Sequence, residues 1–184
     1  VIQSQNINKH KDIAYNLLEN GKAFKCICSE SELEIKRKRI REEKINDKKI
    51  CKTCAINSQI QSLKNGFAIR IIAPIEGKST IHDLIQGNVT IDNKEIDDFI
   101  ILRKDGSPTY MLSVVVDDFD MGVNLIIRGD DHLNNVFRQN IIYENMGWSL
   151  PKYAHLALIH GEDGKKLSKR HGSIDINDFK KKGY

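Results

Sequence analysis

Val123-Asn124-Leu125-Ile126-Ile127 is an apolar, mostly β-branched run, typical of a strand buried on both faces of a parallel sheet. The following residues 134–146 have apolar side chains at helical spacing, and Gly147 ends that pattern. A further apolar segment at residues 153–159 predicts a second strand. Strand, helix and strand at this spacing form a βαβ unit, so we expect a parallel sheet in an α/β fold.

Shorter elements are predicted upstream of this unit. One helix is expected over residues 6–20 and another over residues 30–45, after the N-cap residue Ser29. Strands are predicted at residues 67–72, 79–84, 88–91 and 98–102. Asp105-Gly106 predicts a tight hairpin turn, and residues 111–116 predict a helix or a buried segment. We therefore expect an α+β part that gives way to the βαβ part near residues 105–110.

The 184 residues include 29 Lys and Arg against 25 Asp and Glu, and this charge is unevenly distributed. Basic residues concentrate at 36–52 and at 163–184, on either side of an acidic segment at 97–131. Such a distribution suits a protein that holds a polyanion, but a Lys-rich composition explains it more simply. No apolar run is long enough for a membrane-spanning helix, so we expect no membrane partner. Charge alone does not decide the function.

The four cysteines form two close pairs, Cys26-x-Cys28 and Cys51-x-x-Cys54. Two such pairs can place four thiolates around one Zn²⁺, and the residues between them can form a helix and return. Four protein ligands leave no open coordination position, so this zinc would be structural. Free buried thiols are one alternative. Disulfides are another, although nothing in the sequence indicates an oxidising compartment.

A basic, glycine-containing loop is predicted after the second strand of the βαβ unit, from Gly161-Glu162-Asp163-Gly164 to Lys169-Arg170. A loop of this kind can close around phosphate groups, and its lysines can neutralise the charge that develops on a leaving pyrophosphate. Its spacing differs from that of a P-loop. A solvated basic turn is the alternative interpretation.

Several motifs resemble those of glutamyl-tRNA synthetases, which are class I aminoacyl-tRNA synthetases, and they occur in the same order. Lys166-Leu167-Ser168-Lys169-Arg170 is similar to the "KMSKS" loop of that class. The resemblance extends over essentially all 184 residues. The other matching stretches include Gly21-Lys22-Ala23-Phe24-Lys25-Cys26-Ile27-Cys28-Ser29, Ser107-Pro108-Thr109-Tyr110, Val115-Val116-Asp117-Asp118 and Ile127-Arg128-Gly129-Asp130-Asp131-His132.

The resemblance implies the second half of a Rossmann-like catalytic domain with an inserted α+β module that binds the tRNA acceptor stem. Residues 1–20 would end the first Rossmann half, residues 21–107 would form the zinc-bearing module, and residues 108–184 would form the second Rossmann half. The family's "HIGH" motif and its anticodon-binding region have no match in this sequence. We therefore expect an internal part of a longer cytoplasmic, monomeric enzyme, inactive by itself.

The implied activity is activation of L-glutamate by ATP, supplied as its Mg²⁺ complex, followed by transfer of the glutamyl group to the 3′ end of tRNA(Glu). By resemblance, Lys166 and Lys169 are the catalytic residues, with Lys169 the more important. The residues that match ATP-contacting positions are Lys166, Lys169, Asp131, His132 and Ile159. Those that match glutamate-binding positions are Tyr110, Arg128 and Val114.

These assignments have alternatives. Arg128 could instead clamp a nearby aspartate, and Tyr110 could be a core aromatic. We expect Asp117 and Asp118 to form a turn, a helix cap or a partner for Arg128 rather than to act in catalysis. Two other functions also compete: a related family that glutamylates queuosine on tRNA, and a zinc-stabilised RNA-binding module without enzymatic activity.

Overall fold

The structure is a computed structural model that describes residues 2–43, 49–160, 180, 181 and 183. Its helices are α1 (Ile7–Glu19), α2 (Glu30–Glu42), α3 (Lys52–Ile56), α4 (Ser58–Gln61), α5 (Tyr110–Asp120) and α6 (Leu133–Asn145). Its strands are β1 (Ala23–Cys26), β2 (Ala68–Ile71), β3 (Lys78–Asp83), β4 (Gly87–Asp92), β5 (Ile100–Leu102), β6 (Leu125–Gly129) and β7 (Lys152–Leu156). Short 3₁₀ turns occur at Gln3–Asn6, Asn93–Glu95 and Asp130–His132.

The strands form two sheets with different pairing. The first is antiparallel, in the order β1-β2-β5. The second has the order β4-β3-β7-β6, in which β3 and β4 form an antiparallel hairpin while β7 is parallel to both β3 and β6. The unit β6–α6–β7 therefore has the parallel pairing expected from the sequence, and the mixed α/β fold is confirmed.

The main hydrophobic core draws on Ala14–Ala23 and on residues from Phe67 to Tyr153, while Phe24, Leu33 and the buried cysteines form a second, smaller cluster. The main core includes Leu17 of α1, Ile69 of β2, Val116 of α5 and Ile142 of α6, each of them 1% exposed or less. The β3–β7 pair also joins residues from both sides of the predicted boundary at 107/108. The division into residues 1–20, 21–107 and 108–184 therefore stays a prediction about functional parts.

Strand β6 differs from the expected strand buried on both faces. It lies at the end of the second sheet, and Leu125 and Ile127 are 41% and 61% exposed, while Ile126 packs against the core. Because side chains alternate along a strand, only the face of Ile126 is covered by the described residues. The expectation of burial on both faces was wrong for this part of the chain.

Two predicted elements are shorter than expected. The segment predicted as a strand at residues 153–159 leaves the sheet after Leu156. The tight turn at Asp105-Gly106 is confirmed, with Gly106 at a φ of 78° and its N–H bonded to the Arg103 carbonyl at 2.9 Å. The second arm of that hairpin is a single bridge from Leu102 to Pro108, because the chain enters α5 two residues later.

The start of α2 follows directly from local sequence. Ser29 caps the helix by accepting a hydrogen bond from the Glu32 N–H, and the Glu32 carboxylate accepts one from the Ser29 N–H at 2.7 Å. This capping box holds the chain just after Cys28 and so orients the first cysteine pair. Within the described ranges, no helix has the length and apolar character needed to cross a membrane.

Candidate functional site

The four cysteines converge although their two pairs lie far apart in sequence. Cys26 ends β1, and Cys51 and Cys54 lie at the start and middle of α3. The sulfur–sulfur distances are 3.5 Å for Cys26–Cys51, 3.5 Å for Cys28–Cys54 and 3.9 Å for Cys28–Cys51. Sulfurs that ligate one tetrahedral zinc at about 2.3 Å lie about 3.8 Å apart. The sulfurs of Cys26, Cys28 and Cys51 all lie within 4.8 Å of one another and so suit a single ion, while Cys54 adjoins this group through Cys28.

All four cysteines are free thiols, so disulfide pairing is not present in this structure. The hydrogen bond between Cys26 and Cys51, helped by the Arg70 charge, lowers the pKa of the Cys26 thiol to about 4. Burial raises the pKa of Cys54 to about 11. A metal-free cluster therefore shares protons unevenly, and a divalent cation would replace them.

Arg70 provides an independent sign of negative charge at this cluster. It is 3% exposed, one of its terminal nitrogens donates to the Asp98 carbonyl, and its Nε and Nη2 have no hydrogen-bond partner among the described residues. A buried guanidinium without an anionic neighbour is costly. Four zinc-bound thiolates carry a net charge of about −2 with the metal, which would balance Arg70, so the residues present fit a structural zinc.

Arg128 is held at the end of β6 by three hydrogen bonds. Its Nε donates to His155 Nε2 at 3.0 Å, and its Nη2 donates to Gln139 Oε1 at 2.9 Å and to the His132 carbonyl at 3.1 Å. The meeting of Arg128 and His155 follows from strand register, because the two are direct partners in the parallel β6–β7 pair and share a face. The alternative in which Arg128 clamps an aspartate is not what the described residues show.

His155 in turn bonds to a carboxylate that sequence analysis did not single out. Its Nδ1 lies 2.6 Å from Asp83 Oδ2, and both side chains are completely buried. Asp83 ends β3, in a segment far from β7 in sequence. In the sequence, Asp83 looks like an ordinary aspartate next to a turn, so nothing indicated that it bonds to His155. Only the pairing of β3 with β7 brings the two side chains together.

The other predicted substrate residues lie on neighbouring elements. Tyr110 opens α5 with its side chain 49% exposed, and Val114, one helical turn later, packs partly against the core. Asp131 and His132 lie in the 3₁₀ turn after β6, with His132 Nε2 3.8 Å from Asp131 Oδ2. Ile159 follows β7 and is 72% exposed. Of these described residues, only His132 forms a hydrogen bond with Arg128, through its main-chain carbonyl.

Gly129 allows the side chains of Asp131 and Leu158 to lie close to the backbone at the end of β6. A Cβ atom at this position would lie 2.8 Å from Asp131 Oδ1 and 3.0 Å from a methyl carbon of Leu158. The first distance is too short for a real contact and the second is unusually tight, so a larger residue would displace the side chains of Asp131 and Leu158. The catalytic residues Lys166 and Lys169 predicted by resemblance lie outside the described residues.

Asp117 has a structural role different from the one expected. It is buried in α5 and accepts hydrogen bonds from Gln3 at 3.1 Å, Asn6 at 2.9 Å and His10 at 2.9 Å. It is therefore neither a turn residue nor a cap, and no hydrogen bond joins it to Arg128 in the described part of the chain. It ties the N-terminal segment to α5.

Comparison with known proteins gives a consistent result. The family described as class I tRNA synthetases (E and Q), catalytic domain, matches residues 1–184. The chain belongs to this family. It is 47% identical over its whole length to glutamate–tRNA ligase 2 of Chelativorans sp. and 48% identical to glutamate–tRNA ligase 1 of Bartonella tribocorum.

Solved structures agree with these sequence matches. A glutamate tRNA ligase from Elizabethkingia meningosepticum, in complex with its amino acid, is 26% identical with a TM-score of 0.77 over 99% of this chain. The glutamate-tRNA synthetase of Elizabethkingia anophelis is 26% identical with a TM-score of 0.73. The chain spans 39% of the length of each of the two ligases named above, and 37% of the first of these structures.

Proposed function

We propose that this chain is part of a glutamate–tRNA ligase, which activates L-glutamate with ATP and passes the glutamyl group to the 3′ end of tRNA(Glu). The observation that carries the proposal is Arg128, a cation held by three hydrogen bonds at the end of a parallel strand. Ligands of parallel α/β sheets bind at this carboxyl edge. The family match and the glutamate–tRNA ligase relatives name the chemistry.

In this proposal the residues that bind glutamate lie around the end of β6. Arg128 would attract a carboxylate of glutamate, because Nη1 has no hydrogen bond to a described residue while Nε and Nη2 are engaged. Tyr110 and Val114 would shape the amino-acid pocket from α5. In the reaction, a glutamate carboxylate oxygen forms a bond to the α-phosphorus of ATP, and pyrophosphate leaves.

The nucleotide would be bound by a separate group of residues. Asp131, His132 and Ile159 would contact ATP, which enters with Mg²⁺ as part of the substrate. Lys166 and Lys169 would neutralise the charge that develops on pyrophosphate, as the resemblance implies. Removing Lys169 should lower the adenylation rate by about 10²–10³-fold, the usual loss for one electrostatic stabiliser.

The zinc would fix the base of the module formed by residues 21–107, held by Cys26, Cys28, Cys51 and Cys54. Helix α2 projects from this base and carries Arg37, Arg39 and Arg41, all of which form exposed ion pairs with Glu34 or Glu43. Exposed pairs contribute little stability, so phosphates of a tRNA acceptor stem could replace the carboxylates. A cytoplasmic location, where translation uses the product, and a monomeric state complete the proposal.

The test is glutamate-dependent exchange of pyrophosphate into ATP by the full-length gene product, with tRNA(Glu) present. Glutamine serves as the control substrate. Exchange with glutamate and esterification of the tRNA 3′ end are the expected results. Glutamylation of queuosine instead, or RNA binding without any exchange, would overturn the proposal and favour one of the two competing functions.

A further inference from the structure

We propose that Asp83 and His155 are positioning residues for Arg128, and that they act by keeping the side-chain proton of His155 on Nδ1. This inference rests on the proposed function, because Arg128 is there the residue that receives the glutamate carboxylate. It adds to that function a relay of three side chains from the three strands β3, β7 and β6, in which Asp83 and His155 are completely buried and Arg128 is partly buried.

The polarity of the relay follows from the chemistry of arginine. A guanidinium nitrogen can only donate a hydrogen bond, so His155 Nε2, 3.0 Å from Arg128 Nε, must accept. The imidazole proton is then on Nδ1, where it points to Asp83 Oδ2 at 2.6 Å. His155 Nε2 can therefore accept the hydrogen bond from Arg128 only while the Asp83 carboxylate accepts the proton of His155 Nδ1.

Asp83 is itself fixed by the backbone around it. Its Oδ1 accepts from the N–H groups of Ile85 at 3.0 Å, Gln86 at 2.9 Å and His155 at 3.1 Å. Burial alone would raise the pKa of the Asp83 carboxyl, but the N–H of Gln86 and the His155 ring outweigh burial and hold this pKa below its ordinary value. The relay thus ends on a carboxylate that stays ionised and cannot rotate.

The relay sets the plane and the direction of the Arg128 guanidinium. His155 holds Nε, and Gln139 and the His132 carbonyl hold Nη2, which leaves Nη1 as the nitrogen available to a ligand. A long side chain fixed in advance loses little freedom when it binds, so affinity for a carboxylate rises without a new contact. Loss of the relay should weaken glutamate binding while ATP binding stays unchanged.

The sharpest test is Asp83→Asn, which keeps shape and burial. The Asn oxygen can still accept from the three backbone N–H groups, but its NH₂ then faces His155 Nδ1. That group must donate, so the His155 proton moves to Nε2 and meets the Arg128 Nε–H, donor against donor. We expect the KM for glutamate to rise about tenfold to a hundredfold, with the KM for ATP within about twofold of the wild-type value.

Two substitutions at His155 separate positioning from simple packing. His155→Gln places an amide oxygen where Nε2 was and can accept from Arg128 without help from Asp83, so its KM for glutamate should stay within about threefold of wild type. His155→Leu removes the acceptor and should match Asp83→Asn. In the His155→Gln background, adding Asp83→Asn should change the KM for glutamate by less than about threefold.

A matched control is available on the same strand. His82, adjacent to Asp83 on β3, is exposed and bonds to Asn88, so His82→Leu should leave both KM values unchanged. The relay is refuted if Asp83→Asn leaves the KM for glutamate unchanged. It is also refuted if the KM values for glutamate and ATP rise together, or if His155→Gln is as impaired as His155→Leu.

The inference and the proposed function fail in distinguishable ways. A wild-type enzyme without glutamate-dependent exchange overturns the function itself. In that case ¹⁵N NMR of histidine-labelled protein still decides the relay: the His155 proton should be on Nδ1 in wild type and on Nε2 in Asp83→Asn. A proton on Nε2 in the wild-type protein would overturn the relay, whatever the activity.

Discussion

Replacing Asp117 by alanine should loosen the N-terminal helix α1 from helix α5. The Asp117 carboxylate is buried and accepts from three side chains, Gln3, Asn6 and His10. His10 is completely buried, and its other ring nitrogen, Nδ1, has no hydrogen-bond partner among the described residues. The substitution therefore leaves this imidazole with no polar contact in the described part of the chain.

The size of the effect can be worked out bond by bond. A buried donor that loses its ionised partner costs about 2 kcal/mol, which applies to His10. The amides of Gln3 and Asn6 are only partly buried and can turn to water, so each loses about 0.5–1 kcal/mol. The sum is a loss of about 3–4 kcal/mol in the free energy of opening this part of the structure.

Native-state hydrogen exchange of the α1 amides measures this free energy directly, and urea denaturation measures any global loss. Asp120→Ala is the matched control, because Asp120 lies on the same helix and also bonds to α1, through Lys9, but at an exposed site. It should cost less than about 1 kcal/mol. If Asp117→Ala costs no more than Asp120→Ala, the reasoning is wrong.

The same site predicts a pH dependence. Burial would raise the pKa of Asp117, but the hydrogen bonds from Asn6, His10 and Gln3 outweigh burial and hold it below its ordinary value. A group with a lowered folded pKa stabilises the protein above the unfolded value, near pH 4, and this stability is lost as the pH falls. The wild-type protein should lose more α1 protection below about pH 4 than Asp117→Ala does.

Three further substitutions test the zinc site and the core. Metal analysis should find one zinc per chain in the purified wild-type protein and none in Cys51→Ser, and a folded wild type without zinc would contradict the site. Arg70→Met should weaken zinc binding about 10–100-fold in competition with a chelator, whereas the exposed Arg103→Met should not. Lys49→Met should destabilise the fold by about 3–5 kcal/mol in urea denaturation, because it leaves the Asp98 carboxylate, 3.0 Å from the Lys49 ammonium, without that partner. Stability would be partly restored by adding Asp98→Asn, and an equal loss in the double variant would contradict this account.

Local patterns predicted the elements of the fold well. The α2 capping box, the turn at Gly106 and the parallel pairing of β6 with β7 all depend on residues close in sequence or on a well-known unit. The exposure of Ile127 among the described residues could not be predicted, because it depends on which elements lie beside β6. Apolar composition predicts that a segment forms a strand, but it does not show which face of that strand other elements cover.

The candidate site divides in the same way. Short spacing was enough to predict the cysteine cluster, and the resemblance pointed to Arg128. Asp83, Arg70 and Gln139 were missed, because each acts through a contact made by distant segments. In sequence, a buried charge shows only as a polar residue within an apolar strand, and Arg70, between Ile69 and Ile71, gave such a signal.

The β3–β4 hairpin joins β7 mainly at one point, where the Leu84 N–H bonds to the Tyr153 carbonyl and the Asp83 carboxylate receives the His155 N–H. Main-chain hydrogen bonds between strands are the same at every register, but the Asp83 carboxylate can reach the His155 N–H in only one register. Asp83 therefore fixes the register of β3 against β7. A shift of β3 by one residue along β7 would separate this carboxylate from both the main-chain N–H and the ring of His155, so a single side chain fixes how the two strands are aligned.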